Sequence, residues 1–150
     1  MLPVVLVPFD GQASSVECLR AACCTAQVAK GSVLALHVLR IPRQLPLSAE
    51  LPSLLSDAAE TRALAERVGK EEQVTVWTLT VQAREVARSI VDVAEEVGAS
   101  SILLGVPRGR WLLPWSLGAR VLRLARCPVQ LWSWPEAPIA ARQAVSTLST

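Results

Sequence analysis

The chain has one histidine, His37, and two lysines, Lys30 and Lys70, in 150 residues. Its four cysteines (Cys18, Cys23, Cys24, Cys127) form no Cys-x-x-Cys pair and no cluster with histidine. That pattern argues against a metal site or a disulfide framework and makes the cytosol the default compartment. Cys23 and Cys24 are helix neighbours whose bridging would be strained, so buried thiols are the expectation. No apolar run approaches the ~18 residues of a membrane span. The start, MLPVVLVPFDG, has no basic segment and meets Asp10 too early for a signal peptide.

Three nucleotide and phosphate signatures are also missing. A dinucleotide fold wants Gly-x-Gly-x-x-Gly after its first strand, where this chain has DGQASS. Neither lysine lies in the Gly-x4-Gly-Lys-Ser/Thr context of a phosphate loop. A phospho-accepting receiver needs an aspartate ending its third strand, and here that strand ends TVQA.

What is present is an ordinary folded composition, 51% apolar and 19% charged. The length suits one domain that buries roughly 70% of its unfolded surface. A net charge of +2 is too small to point to nucleic acid. Its spread is uneven: from Gly105 onward there are six arginines against Glu136 alone. A basic end of this kind attracts an anion or is simply a solvated helix face.

Hydrophobic periodicity divides the chain into alternating strands and helices. Pro3 to Phe9 is a β-branched run closed by Asp10-Gly11. Ser14 or Ser15 is placed to cap a helix that Gly31 stops. Residues 32–39 (SVLALHVL) form a strand apolar on both faces, with His37 a satisfied core residue. A loop over 40–49 leads to a helix from about Glu50 to Gly69, then to a strand over 74–81 (VTVWTLTV) whose alternation marks a sheet edge. Val86, Ile90, Val93 and Val97 line the next helix, which Gly98 ends; Ser101 to Leu104 is a short strand. Leu117, Val121 and Leu124 line the last helix to Arg126, and Pro128 to Trp134 is the last strand. Residues 1–134 make the domain, and 135–150 read as a loosely held tail.

Strict β-α alternation implies a parallel sheet with right-handed crossovers and helices on both faces. Ligands of such sheets sit beyond the carboxyl ends of the strands where strand order reverses. The loops after the first and fourth strands, PFDG (8–11) and the stretch 105–118, meet there.

Four segments resemble the universal stress protein family. LVPFDGQASSVECLRAA resembles its opening strand, aspartate and helix, and LHV (36–38) the end of its second strand. AEEVGASSILLG (94–105) resembles the passage into its glycine loop, with Ser100 where aspartate is usual. VLRLARCPVQLW (121–132) resembles its closing helix and strand. The resemblance covers residues 3–134. It implies a Rossmann-like, adenine nucleotide alpha hydrolase-like α/β sheet of five parallel strands, order 3-2-1-4-5. It also implies a homodimer paired through the last strand, and a fold that elsewhere partners membrane transporters.

ATP-binding members carry Gly-x2-Gly-x9-Gly-Ser/Thr, because glycines let backbone N–H groups approach phosphate at a helix start. Here the pattern is broken. Counted from Gly105, the second glycine falls on Arg108, Gly109 is one residue late, and the final pair is Gly118-Ala119. Counted back from VLRLARCPV, the pair is Trp115-Ser116, and the loop is three residues short. The resemblance places Pro8, Phe9, Asp10, Val38, Leu104, Gly105, Arg108, Gly109, Ser116 and Gly118 around any retained adenine nucleotide, ATP or another. Asp10 meets the nucleoside and Val38 lines the adenine pocket; Asp10 also suits a plain turn, and Val38 a plain core. Arg108 and Arg110 could substitute charge for lost N–H contacts.

The cluster Trp111, Leu112, Leu113, Pro114, Trp115 either forms a contact surface for a partner or folds back into the crevice. Trp132 and Trp134 extend the apolar character to the last strand. No catalytic constellation is legible: Asp10 with Ser116 is the one polar pair expected to converge, and it lacks a base. Two readings follow. One is a non-catalytic regulatory or docking module with weakened or absent ATP binding, and the other is an adenine-nucleotide sensor with an altered loop.

Overall fold

The computed structural model describes residues 2–108 and 113–133. Five parallel strands run in the order β3-β2-β1-β4-β5. They are β1 (Val4–Pro8), β2 (Ser32–Arg40), β3 (Val76–Ala83), β4 (Ser101–Gly105) and β5 (Val129–Trp132), joined by α1 (Ala13–Ala29), α2 (Pro52–Glu72), α3 (Val86–Glu96) and α4 (Leu117–Leu124). The central strand β1 pairs on one side with β2, Leu6 opposite Leu34, and on the other with β4, Leu6 opposite Ile102.

The uniformly apolar central strands have a simple cause: each face is covered. Val5, Val7, Val33, Ala35 and Leu103 pack against Cys18, Leu19, Ala22 and Cys23 of α1 and Ala65 and Val68 of α2. Leu6, Leu34, Leu36, Ile102 and Leu104 pack on the other face against Ala87, Ile90 and Val93 of α3 and Val121 of α4. Burying each such side chain contributes roughly 1.5–3 kcal/mol. At β3 the covering stops. Trp77 is 61% exposed and Leu79 is exposed beside it, as the threonine-rich alternation of an edge strand foretells.

Several boundaries differ from the sequence-based expectation, each for a local reason. The first helix is capped by neither Ser14 nor Ser15 but starts after Gln12. It ends with Lys30 in the left-handed conformation, so Gly31 is not what stops it. Gly31 is required instead because a Cβ there would lie 2.2 Å from the carbonyl oxygen of Pro3. Similarly α2 runs past Gly69, which is buried in the helix beneath Val76, and closes at Gln73. The third strand begins at Val76 rather than residue 74, and the last covers only Val129–Trp132.

Glu71 and Glu72 at the end of α2 both bind Arg20 of α1, at 2.9 and 3.0 Å. Trp134 and the tail 135–150 lie outside the described residues.

Candidate functional site

The first loop beyond the sheet is tight and fully organised. Asp10 follows β1, and its Oδ1 accepts from the Gln12 N–H at 2.9 Å and from the Ser15 hydroxyl at 2.8 Å. The Ser15 Oγ also lies 2.9 Å from the Gln12 carbonyl oxygen. Aspartate suits this place because its short side chain reaches the N–H two residues on. Gly11 follows with φ of 83°, a conformation that disfavours any side chain. Both bonds use one carboxylate oxygen. The other, Oδ2, accepts from no described residue.

Asp10 forms the rim of a cavity of about 240 Å³ at the carboxyl end of the sheet. Pro8, Phe9, Leu36, Val38 and Leu104 line it from the strand side, and Val86, Ile90 and Leu117 from α3 and α4. Of the residues that sequence reasoning nominated, the fold thus brings together Pro8, Phe9, Asp10, Val38 and Leu104. Gly105, Arg108, Ser116 and Gly118 are not among its lining residues. Sequence reasoning missed Val86, Ile90 and Leu117, which it had marked only as helix-core positions.

The glycines of the broken pattern have packing roles here. A Cβ on Gly105 would come within 3.2 Å of the Ser14 carbonyl oxygen, so this glycine lets α1 lie against β4. On Gly118 it would meet Val106 at 3.0 Å and Leu131 at 3.4 Å, so that one seats α4 on the sheet. Ser116 is the N-cap of α4, its hydroxyl accepting from the Ala119 N–H at 3.2 Å. Arg108 is exposed. Trp115 is 72% exposed and Leu113 partly so, which answers for them the question of whether the apolar cluster folds inward. Gly109, Arg110, Trp111 and Leu112 lie outside the described residues.

His37 departs from expectation. It is half-buried rather than enclosed, and its Nδ1 is buried without a hydrogen-bond partner among the described residues. It lines the cavity beside Asp10 and also a second, of about 380 Å³, together with Asp10, Asp57, Glu60 and Thr61. Burial lowers its pKa from the ordinary value of 6.5, while Asp10 and Asp57 pull it upward. A period-two pattern alone does not separate an enclosed position from one at a strand's mouth, which is why its place was missed. Among the described residues no group of histidine, cysteine and carboxylate side chains could hold a metal ion.

A parallel sheet of this order with a crevice outside β1 and β4 is the setting in which the comparisons with known proteins become decisive. The sequence model of the universal stress protein family matches residues 1–131. The chain belongs to that family. No curated protein matches the chain. Among solved structures, it is similar to the universal stress protein from Archaeoglobus fulgidus in complex with dAMP, at 23% identity and a TM-score of 0.71, covering 87% of this chain and 97% of that one. A universal stress protein from Burkholderia pseudomallei is 28% identical, with a TM-score of 0.67 over 87% of this chain and 96% of its own. A universal stress protein in complex with cAMP is 19% identical, with a TM-score of 0.71 and coverage of 87% and 96%. The fold expected from the sequence is the fold found, helices on both faces of a 3-2-1-4-5 sheet. No described helix of this stress protein is long and apolar enough to cross a membrane.

Proposed function

We propose that this chain is a non-catalytic regulatory module that works as a homodimer and takes the nucleoside end of an adenine nucleotide, holding a triphosphate weakly. The observation that carries the reading is the crevice: apolar walls from Val38, Leu104, Val86 and Ile90, with the Asp10 carboxylate at the rim and one of its oxygens unused. Flat apolar walls suit a base, and a carboxylate at the mouth suits ribose hydroxyls. The solved relatives hold dAMP and cAMP, ligands with a single phosphate. Triphosphate binding asks for glycines free to approach it, and here Gly105 and Gly118 are committed to helix packing. Absence of turnover is proposed on the same grounds: the polar groups at the rim are Asp10, Ser15 and His37, and the first two are bonded to each other.

The homodimer is proposed through β5, the outer strand, with Trp132 at its exposed edge. The largely exposed Trp115 supports a second reading, a docking surface for a protein partner, with a membrane transporter among the kinds the family resemblance implies.

Calorimetric titration with adenosine, AMP, cAMP and ATP tests the main reading. Adenosine and the monophosphates bind, ATP gains nothing from its outer phosphates, and Val38→Trp abolishes all binding by filling the crevice. Failure of every one of these ligands to bind overturns it, as does ATP binding far tighter than AMP.

A further inference from the structure

Beside the crevice lies a second cavity of about 240 Å³, lined by Arg40, Arg84 and Arg120 with Glu85, Ala87 and Trp115. It shares Val86 and Leu117 with the crevice, so the two are neighbours at the helix side of the strand ends. Its charges do not cancel. Arg120 pairs with Glu85. Arg84 donates from Nη1 and Nη2 to the carbonyl oxygens of Pro42 and Leu45, each at 2.7 Å. Those two bonds fix the guanidinium in place without neutralising it. Arg40, the last residue of β2, has no acidic partner among the described residues. Two uncompensated guanidinium groups thus line one half-enclosed space, the condition under which arginine recognises phosphate. Neither cavity alone reaches the roughly 300 Å³ at which ordinary ligand sites begin, so a ligand of nucleotide size has to occupy both.

We infer that this arginine cavity is an anion subsite that receives the phosphate of a nucleotide whose base lies in the adjoining crevice. The phosphate then lies beside the ends of β2 and β3, with Trp115 and Leu117 on its other side. The inference rests on the proposed nucleoside crevice, and supplies that crevice with the phosphate contacts its glycines no longer make. It also accounts for an indole beside the anion: Trp115 lies where a ribose or a second base emerging between Val86 and Leu117 can stack on it.

The test compares adenosine with AMP in the full chain and in Arg40→Gln, by calorimetry at two salt concentrations. Arg40 ends a strand at the surface and is exposed, so its replacement leaves the core intact. In the unsubstituted protein AMP binds about tenfold tighter than adenosine, the increment of one charge-assisted contact, and loses that margin as salt rises. In Arg40→Gln the two ligands bind equally. An AMP margin that survives Arg40→Gln, or no margin at all, overturns the subsite. If adenosine itself does not bind, the crevice reading fails. A titration with inorganic pyrophosphate followed by ³¹P line broadening then judges the arginine cavity alone: broadening lost in Arg40→Gln upholds it, and no broadening removes it.

Discussion

Two loops meet at the same end of the sheet and are built on opposite plans. The one after β1 turns within a few residues, and its polar groups satisfy one another through Asp10, Gln12 and Ser15. The one after β4 is long and carries an indole into solvent, and its polar contribution to the helix that follows is the Ser116 cap. The first is a rigid rim with one oxygen to spare. The second holds its helix by glycine packing and leaves Leu113 and Trp115 exposed. In a nucleotide site the first kind of loop reads the nucleoside and the second reads the phosphates. A molecule that keeps one and alters the other has separated two recognition tasks that usually act together.

Breaking the first loop has the largest expected effect. Asp10→Ala removes the acceptor for both Gln12 and Ser15 and the free oxygen at the rim. It is expected to cost about 1–2 kcal/mol of stability, as helix-start acceptors do, and to abolish measurable adenosine binding. Denaturant melts alongside calorimetry check both. Normal adenosine affinity in this variant would place the ligand somewhere other than the crevice.

A Cβ at Gly105 probes the seam between the two loops. Gly105→Ala presses on the Ser14 carbonyl oxygen 3.2 Å away and is expected to destabilise by about 1–3 kcal/mol. Unchanged stability would mean that α1 yields at its first turn, and that the glycine is not needed for packing.

The second loop breaks more gently. Ser116→Ala should cost about 1 kcal/mol through loss of the α4 cap, and Trp115→Ser less than about 0.5 kcal/mol, since that indole is mostly in water. A large loss of stability in Trp115→Ser would show that the indole packs on something in solution.

The smallest effect sharpens the comparison through pH. His37 titrates below its ordinary 6.5 in the folded chain because burial disfavours its charged form. The unfolded chain therefore takes up the proton first. The stability that neutral His37 contributes is present above about 6.5 and is lost as pH falls toward the folded value. Asp10, Asp57 and Glu60 face the same cavity, and Asp10 and Asp57 pull the pKa upward and moderate the loss. Melts of the parent chain and of His37→Asn at pH 7 and pH 5 should differ by a shallower slope in the variant. Parallel slopes would mean His37 titrates as if in water.

Much of this was legible in the sequence because strand burial writes itself into composition. Residues 32–39 are apolar apart from Ser32 and His37, as a strand covered on both faces must largely be, while VTVWTLTV alternates, as an edge must. Asp10 and the loop after β4 could be placed at one crevice because the order of elements forces their strand ends together, whereas Val38 and Leu104 were assigned to it by the family resemblance. The arginine cavity could not be foreseen. Arg40, Arg84 and Arg120 stand on three separate elements and carry no spacing signal. Gly31, Gly69, Gly105 and Gly118 read as helix stops or phosphate glycines, since a glycine required by a neighbouring backbone or side chain looks the same in one dimension. The unsatisfied His37 Nδ1 is likewise a matter of where a strand ends, which periodicity does not fix.

The central strand sets an order of events. Leu6 has Leu34 on one side and Ile102 on the other, so the middle of the sheet cannot be completed until most of the chain exists. During synthesis the first three strands can associate while β1 still exposes a bare edge, which β4 must find before another chain does. The crevice walls come from both sides of that seam, so the crevice is completed late, once β4 has paired with β1. A ligand that bridges β2 and α4 would favour the closed seam over the open one, and in doing so would act on the half-made protein as well as on the finished one.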